Sequence, residues 1–333
     1  MSFRHYSDMT KFVRRSTMTF PVNVSRFTEK AYTRGADLLI MDLEDSVPPE
    51  EKANARELIK ETIPKVAKGG SDVAVRINKP VLQARMDLEA SIWPGLTCVS
   101  VPKVESANDI KIVDDVITSL ETRRGMALGT VQIAAVVETS LGVINGFEIA
   151  SSSPRIVTLS MGAEDLSREM GIRLTLEGDE LRYARQKIII DAYAAGVQPL
   201  GLVGVDPFDW SDLERFQTAA EYSRSIGFKG AGVIHPAPIP YLNKGFSIPD
   251  EEVDYARRAL RAFEDGLKLG TASVNLDGRM IDIATAERCR NILRRADAVE
   301  AMEKRKTDDI GNPSQKEEEI EAAIRIAEER EKQ

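Results

Sequence analysis

The stretch Val131-Gln132-Ile133-Ala134-Ala135-Val136-Val137-Glu138-Thr139-Ser140-Leu141-Gly142 runs from an apolar segment straight into a carboxylate and a Thr-Ser pair of the helix-capping kind. A short run that is apolar on both faces suits a parallel strand covered by helices. Together with the helical pattern after it, the stretch is one β/α unit. Outward from it the unit recurs. Strands are expected over 16–20, 37–43, 73–77, 98–101, 131–137, 156–160, 200–203 and 232–234, with helical stretches such as 50–68, 106–121, 179–195 and 211–226 between them. Eight β/α repeats close into a TIM barrel, (β/α)8. An open doubly wound sheet would carry a Gly-rich phosphate loop after its first strand, and this chain has none.

The barrel domain is expected over 1–247. The Pro-punctuated run His235-Pro236-Ala237-Pro238-Ile239-Pro240 follows the eighth strand, then a helix over 250–266, an extended or hairpin segment over 271–282 around Asp277-Gly278, and a helix over 285–305. Residues 248–305 are read as a C-terminal helical lid extension. Residues 306–333 form a charged tail, helical or disordered. Its Glu317-Glu318-Glu319 precedes Ile320, Ile324 and Ala327 at helical spacing, which reads as a solvated helix or a partner contact.

The 333 residues are 42% hydrophobic, enough for a large core. No apolar stretch approaches the ~18 residues of a membrane span. Arg4, His5, Asp8, Lys11, Arg14 and Arg15 leave no apolar segment for a secretory leader, so a cytoplasmic protein without a membrane role is expected. A net charge of -8 argues against nucleic-acid binding, which needs a basic footprint. Cys98 and Cys289 are the only cysteines, and His5 and His235 the only histidines. Disulfide scaffolds, thiolate zinc sites and Ser-His-Asp relays are therefore excluded or nearly so. Catalysis must rest on carboxylates, Arg and Lys.

In an eight-stranded barrel the active site lies at the C-terminal ends of the strands. Polar residues follow the apolar runs there: Asp42-Leu43-Glu44-Asp45, Arg76, Pro102-Lys103, Glu138, Glu164-Asp165, Asp206 and His235. Met161-Gly162-Ala163-Glu164-Asp165-Leu166 repeats on the sixth strand what Glu138 does on the fifth. Adjacent carboxylates repel unless a cation lies between them, and Mg²⁺ favours one or two carboxylates with waters and substrate oxygens. Glu138 and Asp165 are accordingly candidate metal ligands, the competing use being to cap the helices that follow, with Glu164 a weaker candidate. Arg76 needs an anionic partner, either a substrate carboxylate or enolate oxygen, or Glu44 or Asp45.

Further signatures complete the pattern: Arg15-Ser16, Asp42-Leu43-Glu44-Asp45-Ser46-Val47 with Lys52 and Ala55-Arg56, Val75-Arg76-Ile77-Asn78, Pro102-Lys103, Glu138-Thr139 with Gly142, Gly162 with Asp165-Leu166, Gly227-Phe228, Ile234-His235-Pro236, and Asp277-Gly278-Arg279-Met280-Ile281-Asp282. In this order and spacing the chain resembles the citrate lyase β-subunit-like (CitE-like) branch of the HpcH/HpaI aldolase superfamily, which includes malyl-CoA and citramalyl-CoA lyases. The resemblance implies a TIM barrel holding Mg²⁺, with Mn²⁺ as the alternative, on Glu138 and Asp165. It implies a carbon-carbon lyase that cleaves or forms a 3-hydroxyacyl-CoA, such as malyl-CoA or citramalyl-CoA, from an acyl-CoA and a 2-oxo acid. Arg76 would stabilise the enolate oxygen, while Glu44 and Asp45 would order metal waters and relay protons. Arg15, Ser16, Pro21 and Lys103 would bind substrate or CoA. The resemblance also implies a homotrimer or homohexamer in which one subunit's lid closes its neighbour's mouth. Asp282, with Asp277 second, would then protonate the enolate carbon, against an alternative in which Asp282 caps the helix over 285–305. Two positions depart from the family pattern: Val22 stands where relatives carry Gly, and Ala231 where many carry Lys. The alternatives are a metal-dependent aldolase of free hydroxy-oxo acids without CoA, and a noncatalytic or acyl-lyase subunit of a citrate lyase-type complex.

Overall fold

Eight short strands share one direction: β1 (Ser16–Pro21), β2 (Leu38–Asp42), β3 (Asp72–Arg76), β4 (Cys98–Val101), β5 (Gln132–Val137), β6 (Ile156–Met161), β7 (Gln198–Leu200) and β8 (Ala231–Val233). In this computed structural model, which describes residues 12–79 and 81–332, they form one parallel sheet in the order β7-β6-β5-β4-β3-β2-β1-β8. Arg4, His5, Asp8 and Lys11 lie outside the described residues. The seam between β7 and β8 is bridged by backbone hydrogen bonds, Gly201 N to the Gly230 carbonyl and Lys229 N to the Pro199 carbonyl, both 2.9 Å. The TIM barrel is therefore nearly closed. The seventh strand begins two residues before the expected start and ends at Leu200, with Pro199 buried in it as the register partner of Leu159.

The helices are α1 (Ser25–Ala31), α2 (Lys52–Ala67), α3 (Val81–Ser91), α4 (Ala107–Arg123), α5 (Ser140–Ile144), α6 (Gly146–Ala150), α7 (Ala163–Met170), α8 (Arg182–Ala195), α9 (Leu213–Ile226) and α10 (Ile239–Phe246) around the barrel. Strand residues that face outward, such as Leu39, Met41, Val73, Val75, Val99 and Ile133, are fully buried with Ile59, Ile63, Ile110, Ile117 and Ile188 of these helices. The alternation of each strand thus separates an outer apolar core from the inward-facing residues.

After the barrel come α11 (Asp250–Lys268), an antiparallel hairpin of β9 (Val274–Leu276) and β10 (Arg279–Ile281), α12 (Ile283–Gly311) and α13 (Pro313–Glu331). The hairpin turns at Asp277-Gly278, as the sequence suggests. α11, the hairpin and the first part of α12 hold their own small core of Ala256, Ala259, Phe263, Ile281, Ala286 and Cys289. The boundary drawn at residue 305 falls inside α12, and the charged tail is not a solvated helix. α13 packs on α2, burying Ile324 and Ala327, and is tied there by the ion pairs Lys60–Glu328 and Lys68–Glu317. Its three acidic residues in a row had masked this apolar face.

The second half of α12 passes beneath the barrel, at the N-terminal ends of the strands. Arg15 donates to both carboxylate oxygens of Asp37, at 2.9 and 2.8 Å, and Lys306 reaches the same group at 2.6 Å. Asp72 takes Arg14 at 2.5 Å and Arg305 at 2.7 Å. No helix of the described residues is long and apolar enough to cross a membrane.

Asp37 is fully buried; burial opposes its ionisation, but Arg15 and Lys306 outweigh this and hold the carboxyl well below the usual carboxylate range. Asp37→Asn would leave two cations facing a neutral amide, and the expected loss is about 3–5 kcal/mol. A depressed native pKa contributes stability that is fully present above the unfolded-state value, ~3.9, and is lost as pH falls below it. Denaturant unfolding at pH 7 and pH 3 should show the gap between wild type and Asp37→Asn narrowing at the lower pH; a constant gap would contradict the assignment.

Candidate functional site

Because the strands are parallel, their C-terminal ends open on one mouth, and mouth and barrel interior form a cavity of about 1050 Å³. Asp42 ends β2. Its carboxylate accepts backbone N–H bonds from Glu44 and Ser46, both 3.0 Å, which folds the loop over the strand end. The same carboxylate grips Arg76 of the next strand in a two-pronged pair, Nε to Oδ1 at 2.7 Å and Nη2 to Oδ2 at 2.6 Å. Lys52 clamps the loop from behind, donating to the Leu43 and Glu44 carbonyls at 2.9 Å and to Asn78 Oδ1 at 2.7 Å.

Asp42 is thus the principal partner of Arg76, a role the sequence reading gave to Glu44 or Asp45. The signal was available, since Asp42 and Arg76 are register partners on neighbouring strands. Glu44 Oε2 is 3.3 Å from Arg76 Nη1, but the geometry is not that of a hydrogen bond, and this oxygen remains unsatisfied. Burial raises the Glu44 carboxyl, against the pull of Lys103 and Arg76. Lys103 pairs with Glu44 and, at 3.1 Å, with Asp45. It does so from a left-handed backbone, φ 52°, a cost of the kind that clusters at functional sites.

Glu138 directly follows β5 and is 6% exposed, and its Oε2 has no hydrogen-bond partner. Burial, then the negative charges of Asp165 and Glu44, push its carboxyl up to about 7. It does not cap the helix after it: Thr139 does, accepting from Gly142 N at 3.1 Å. Asp165 lies in the first turn of α7 and pairs with Arg168 at 2.5 Å. Gly162 gives Glu138 its room, since a Cβ there would fall 2.6 Å from Glu138 Cγ. A buried, unsatisfied carboxylate oxygen facing a second carboxylate fits a hard divalent cation. Among the described residues no cluster of three or more His, Cys, Asp or Glu is placed to hold a metal. The donor set therefore suits an ion that completes its shell with water and substrate oxygens. Glu164 also lines the cavity, its carboxyl raised by burial and by Asp206 and Asp165.

Pro21 and Lys103 stand on the mouth side, at or just after the ends of β1 and β4. Arg15 and Ser16 do not. They open β1, at the opposite end of the barrel, where Arg15 is consumed by Asp37 and Ser16 donates to Asn243 Oδ1 at 2.7 Å. Their assignment to substrate or CoA is corrected on that ground. Val22 directly follows β1 and is buried, and Ala231 begins β8 at the floor. His235 stacks on Trp210 with centroids 4.2 Å apart, and its Nδ1 accepts from Ala237 N at 3.2 Å. Asp282 is the N-cap of α12, accepting from Thr285 N at 2.8 Å, and Asp277 pairs with Arg258 at 2.8 Å. The residues lining the cavity run from Thr17 to Gly232, so the arm formed by α11, the hairpin and the start of α12 contributes nothing to this chain's own mouth.

Comparison with known proteins gives the same neighbourhood. The family model HpcH/HpaI aldolase/citrate lyase matches residues 15–236. Citrate lyase subunit beta of Leuconostoc mesenteroides subsp. cremoris is 32% identical over 289 residues, 86% of this chain and 94% of that protein. The L-malyl-CoA/beta-methylmalyl-CoA lyase of Cereibacter sphaeroides is 32% identical over 319 residues, 90% of this chain and 100% of that protein. The crystal structure of CitE from Mycobacterium tuberculosis in complex with magnesium, acetoacetate and coenzyme A superposes with a TM-score of 0.65 at 28% identity, covering 86% of this chain and 99% of that one.

Gly162→Ala is expected to displace the Glu138 side chain while the barrel persists, since the clash is with a side chain and overpacking of this size costs about 1–3 kcal/mol. Calorimetric titration with Mg²⁺ should show affinity lowered by roughly tenfold or more, the equivalent of ~1.4 kcal/mol. Unchanged affinity in a folded variant would contradict the role of Gly162.

Proposed function

Because the chain belongs to the HpcH/HpaI aldolase/citrate lyase family, on the branch of citrate lyase β subunits and malyl-CoA lyases, we propose that its mouth carries out reversible carbon-carbon cleavage of 3-hydroxyacyl-CoA thioesters. The protein is a Mg²⁺-dependent lyase acting between CoA thioesters and 2-oxo acids. The observation that carries this reading is the buried Glu138 oxygen without a partner, facing Asp165 beside Arg76 and Glu44.

Glu138 and Asp165 would hold Mg²⁺, with Mn²⁺ as a substitute. When bound, the ion supplies charge stabilisation for the carboxylate and carbonyl of the oxo acid. In the cleavage direction the 3-hydroxyl gives up its proton to the Glu44 carboxylate, with Asp45 helping to position the relay, the C2–C3 bond breaks as C3 becomes the oxo carbon, and the electron pair of that bond stays with C2 and moves onto the thioester oxygen as an enolate. Arg76, held by Asp42, directs its guanidinium at the oxygen where this charge grows. A proton on the enolate carbon then completes the acyl-CoA. Asp282 of a neighbouring subunit supplies it: the arm of 248–305 leaves its own mouth uncovered and exposes Met280 and Ile283 beside Asp282. This requires a homo-oligomer, a trimer or hexamer. Pro21 and Lys103 bind along the CoA side of the mouth. Both cysteines are free and buried, in keeping with work in a reducing cytoplasm.

Purified protein should cleave malyl-CoA or citramalyl-CoA only with Mg²⁺ or Mn²⁺ present, and Glu138→Gln and Asp165→Asn should lose both metal affinity and turnover. Full activity in excess chelator would reject the metal, and turnover of free hydroxy-oxo acids without a thioester would favour the CoA-independent aldolase. No turnover of any substrate by a metal-loaded protein would favour a subunit acting only within a citrate lyase-type complex.

The shared mouth has its own test. Asp282→Asn and Arg76→Ala subunits, each with activity lowered by about 10²–10³-fold, should regain part of it when mixed, because some mouths then combine an intact Arg76 with an intact Asp282. Absence of recovery after verified subunit exchange, or a monomer in solution, would reject action in trans.

A further inference from the structure

One wall of the mouth cavity is basic. The connection between α7 and α8 supplies Arg173, the first turn of α8 supplies Arg185 and the first turn of α9 supplies Arg215, and all three line the cavity that also holds Arg76 and Glu138. Arg185 is 7% exposed. Buried arginines elsewhere in the chain, Arg14, Arg15, Arg124 and Arg155, each meet at least one carboxylate. Among the described residues no carboxylate stands within ion-pair distance of Arg173, Arg185 or Arg215. Arg185 Nη1 donates to the Gly178 carbonyl, and Arg215 Nε to the Gly204 carbonyl at 2.9 Å, acceptors that carry no counter-charge. Burial lowers the pKa of Arg185, and the more distant Glu180 opposes this only in part. The acids of the same segments are spent on backbone amides: Asp206 accepts from Phe208 N at 2.8 Å, Asp209 from Ser211 N at 2.9 Å, Asp212 from Arg215 N at 3.2 Å and Glu180 from Thr175 N at 2.8 Å.

From this arrangement we propose that Arg173, Arg185 and Arg215 form a subsite for a terminal carboxylate on the side chain of the 2-oxo acid, so that the mouth prefers 2-oxo dicarboxylates longer than oxaloacetate. The inference rests on the lyase reading above, because Glu138 and Asp165 must hold the oxo-acid head for its tail to reach the arginines. Length follows from the strand order. A Cβ on Gly178 would meet both Arg185 Nη1 and Val203, so the guanidinium lies just past the end of β7, two strands over from Glu138 at the end of β5. At ~4.8 Å per strand the separation is roughly 10 Å, which the single methylene of oxaloacetate does not span. Leu174, Leu202, Val203 and Val205 line the cavity on the same segments and offer an apolar surface to the added methylenes. A carboxylate at the far end gives Arg185 the counter-charge it lacks, through charge-assisted hydrogen bonds.

The test is calorimetric binding of glyoxylate, pyruvate, oxaloacetate, 2-oxoglutarate, 2-oxoadipate and 2-oxoheptanoate to the Mg²⁺-loaded full chain. 2-Oxoadipate should bind at least ~10-fold more tightly than oxaloacetate and than 2-oxoheptanoate, whose chain ends in a neutral alkyl group. Arg185→Gln should lower the ratio of 2-oxoadipate to pyruvate affinity at least ~10-fold. The double variant Arg173→Gln/Arg215→Gln, at exposed positions, should lower it in the same direction and carries the test if Arg185→Gln fails to fold. 2-Oxoadipate binding no more tightly than oxaloacetate or 2-oxoheptanoate, or a preference that survives the arginine variants, would overturn the subsite while leaving the lyase reading intact. Adenosine 3′,5′-bisphosphate is titrated in parallel: its loss in the arginine variants with the oxo-acid ratio unchanged would assign the three arginines to the phosphates of CoA and overturn the subsite. Failure of every oxo acid to bind would overturn the lyase reading, and the subsite with it.

Discussion

A carboxylate taken out of water without a partner is among the costliest groups a fold can carry, and Glu138 is one. Its burial pushes the carboxyl up, Asp165 and Glu44 push it further, and one of its oxygens accepts nothing from the protein. The surroundings do not relieve that cost but keep it in place. Gly162 clears the space beside it, Thr139 takes over the capping of α5, and the two cations that act on it, Lys103 and Arg76, are paired with other carboxylates, Lys103 with Glu44 and Asp45 and Arg76 with Asp42. A protein that needed only stability could fill this position with an apolar residue. The cost is understood as that of a site preorganised for a cation that arrives from outside.

The two ends of the barrel show what the alternative looks like. At the floor, Asp37 and Asp72 each meet two cations at hydrogen-bonding distance, and both carboxyls are lowered, Asp37 well below the usual range. The same residue types at the mouth are left partly unmatched, with raised carboxyls at Glu44, Glu138 and Glu164. Satisfied ion pairs resist movement and anchor the fold, whereas unsatisfied ones bind ligands. This contrast, rather than charge alone, separates the structural end from the chemical end.

Much of this was legible in the chain because its signals are local. Short apolar runs bounded by turns, repeated eight times, encode the barrel, and the polar residue that follows each run marks the mouth. The hairpin at Asp277-Gly278 was equally readable. What escaped depends on contacts distant in sequence. Arg15 and Ser16 resemble mouth residues in type, and only their position at the beginning of β1 rather than its end consigns them to the floor. The partnership of Asp42 with Arg76 needs the register between strands. The docking of α13 needs Ile324 and Ala327 to find α2 across more than half of the sequence, beneath a charged pattern that reads as solvent-facing. Lys103 has a backbone conformation that its identity does not announce.

α12 joins these themes. It has 29 residues, about 44 Å at 1.5 Å per residue, and its two halves serve different bodies. From Arg295 to Lys306 it is bound to the floor of its own barrel, with Arg295 donating to the Phe12 carbonyl and Lys306 to Asp37. From Ile283 onward its first turns belong to the small core shared with α11 and the hairpin. A continuous helix transmits position along its length, so the arm cannot swing freely about a flexible joint at the barrel. Its direction is set by ion pairs at the end of the barrel opposite the mouth. An arm so fixed, and absent from the lining of its own cavity, is suited to meeting a second subunit in a defined orientation. If mouths are shared between subunits as proposed, the floor of one barrel would help to place Asp282 of the next.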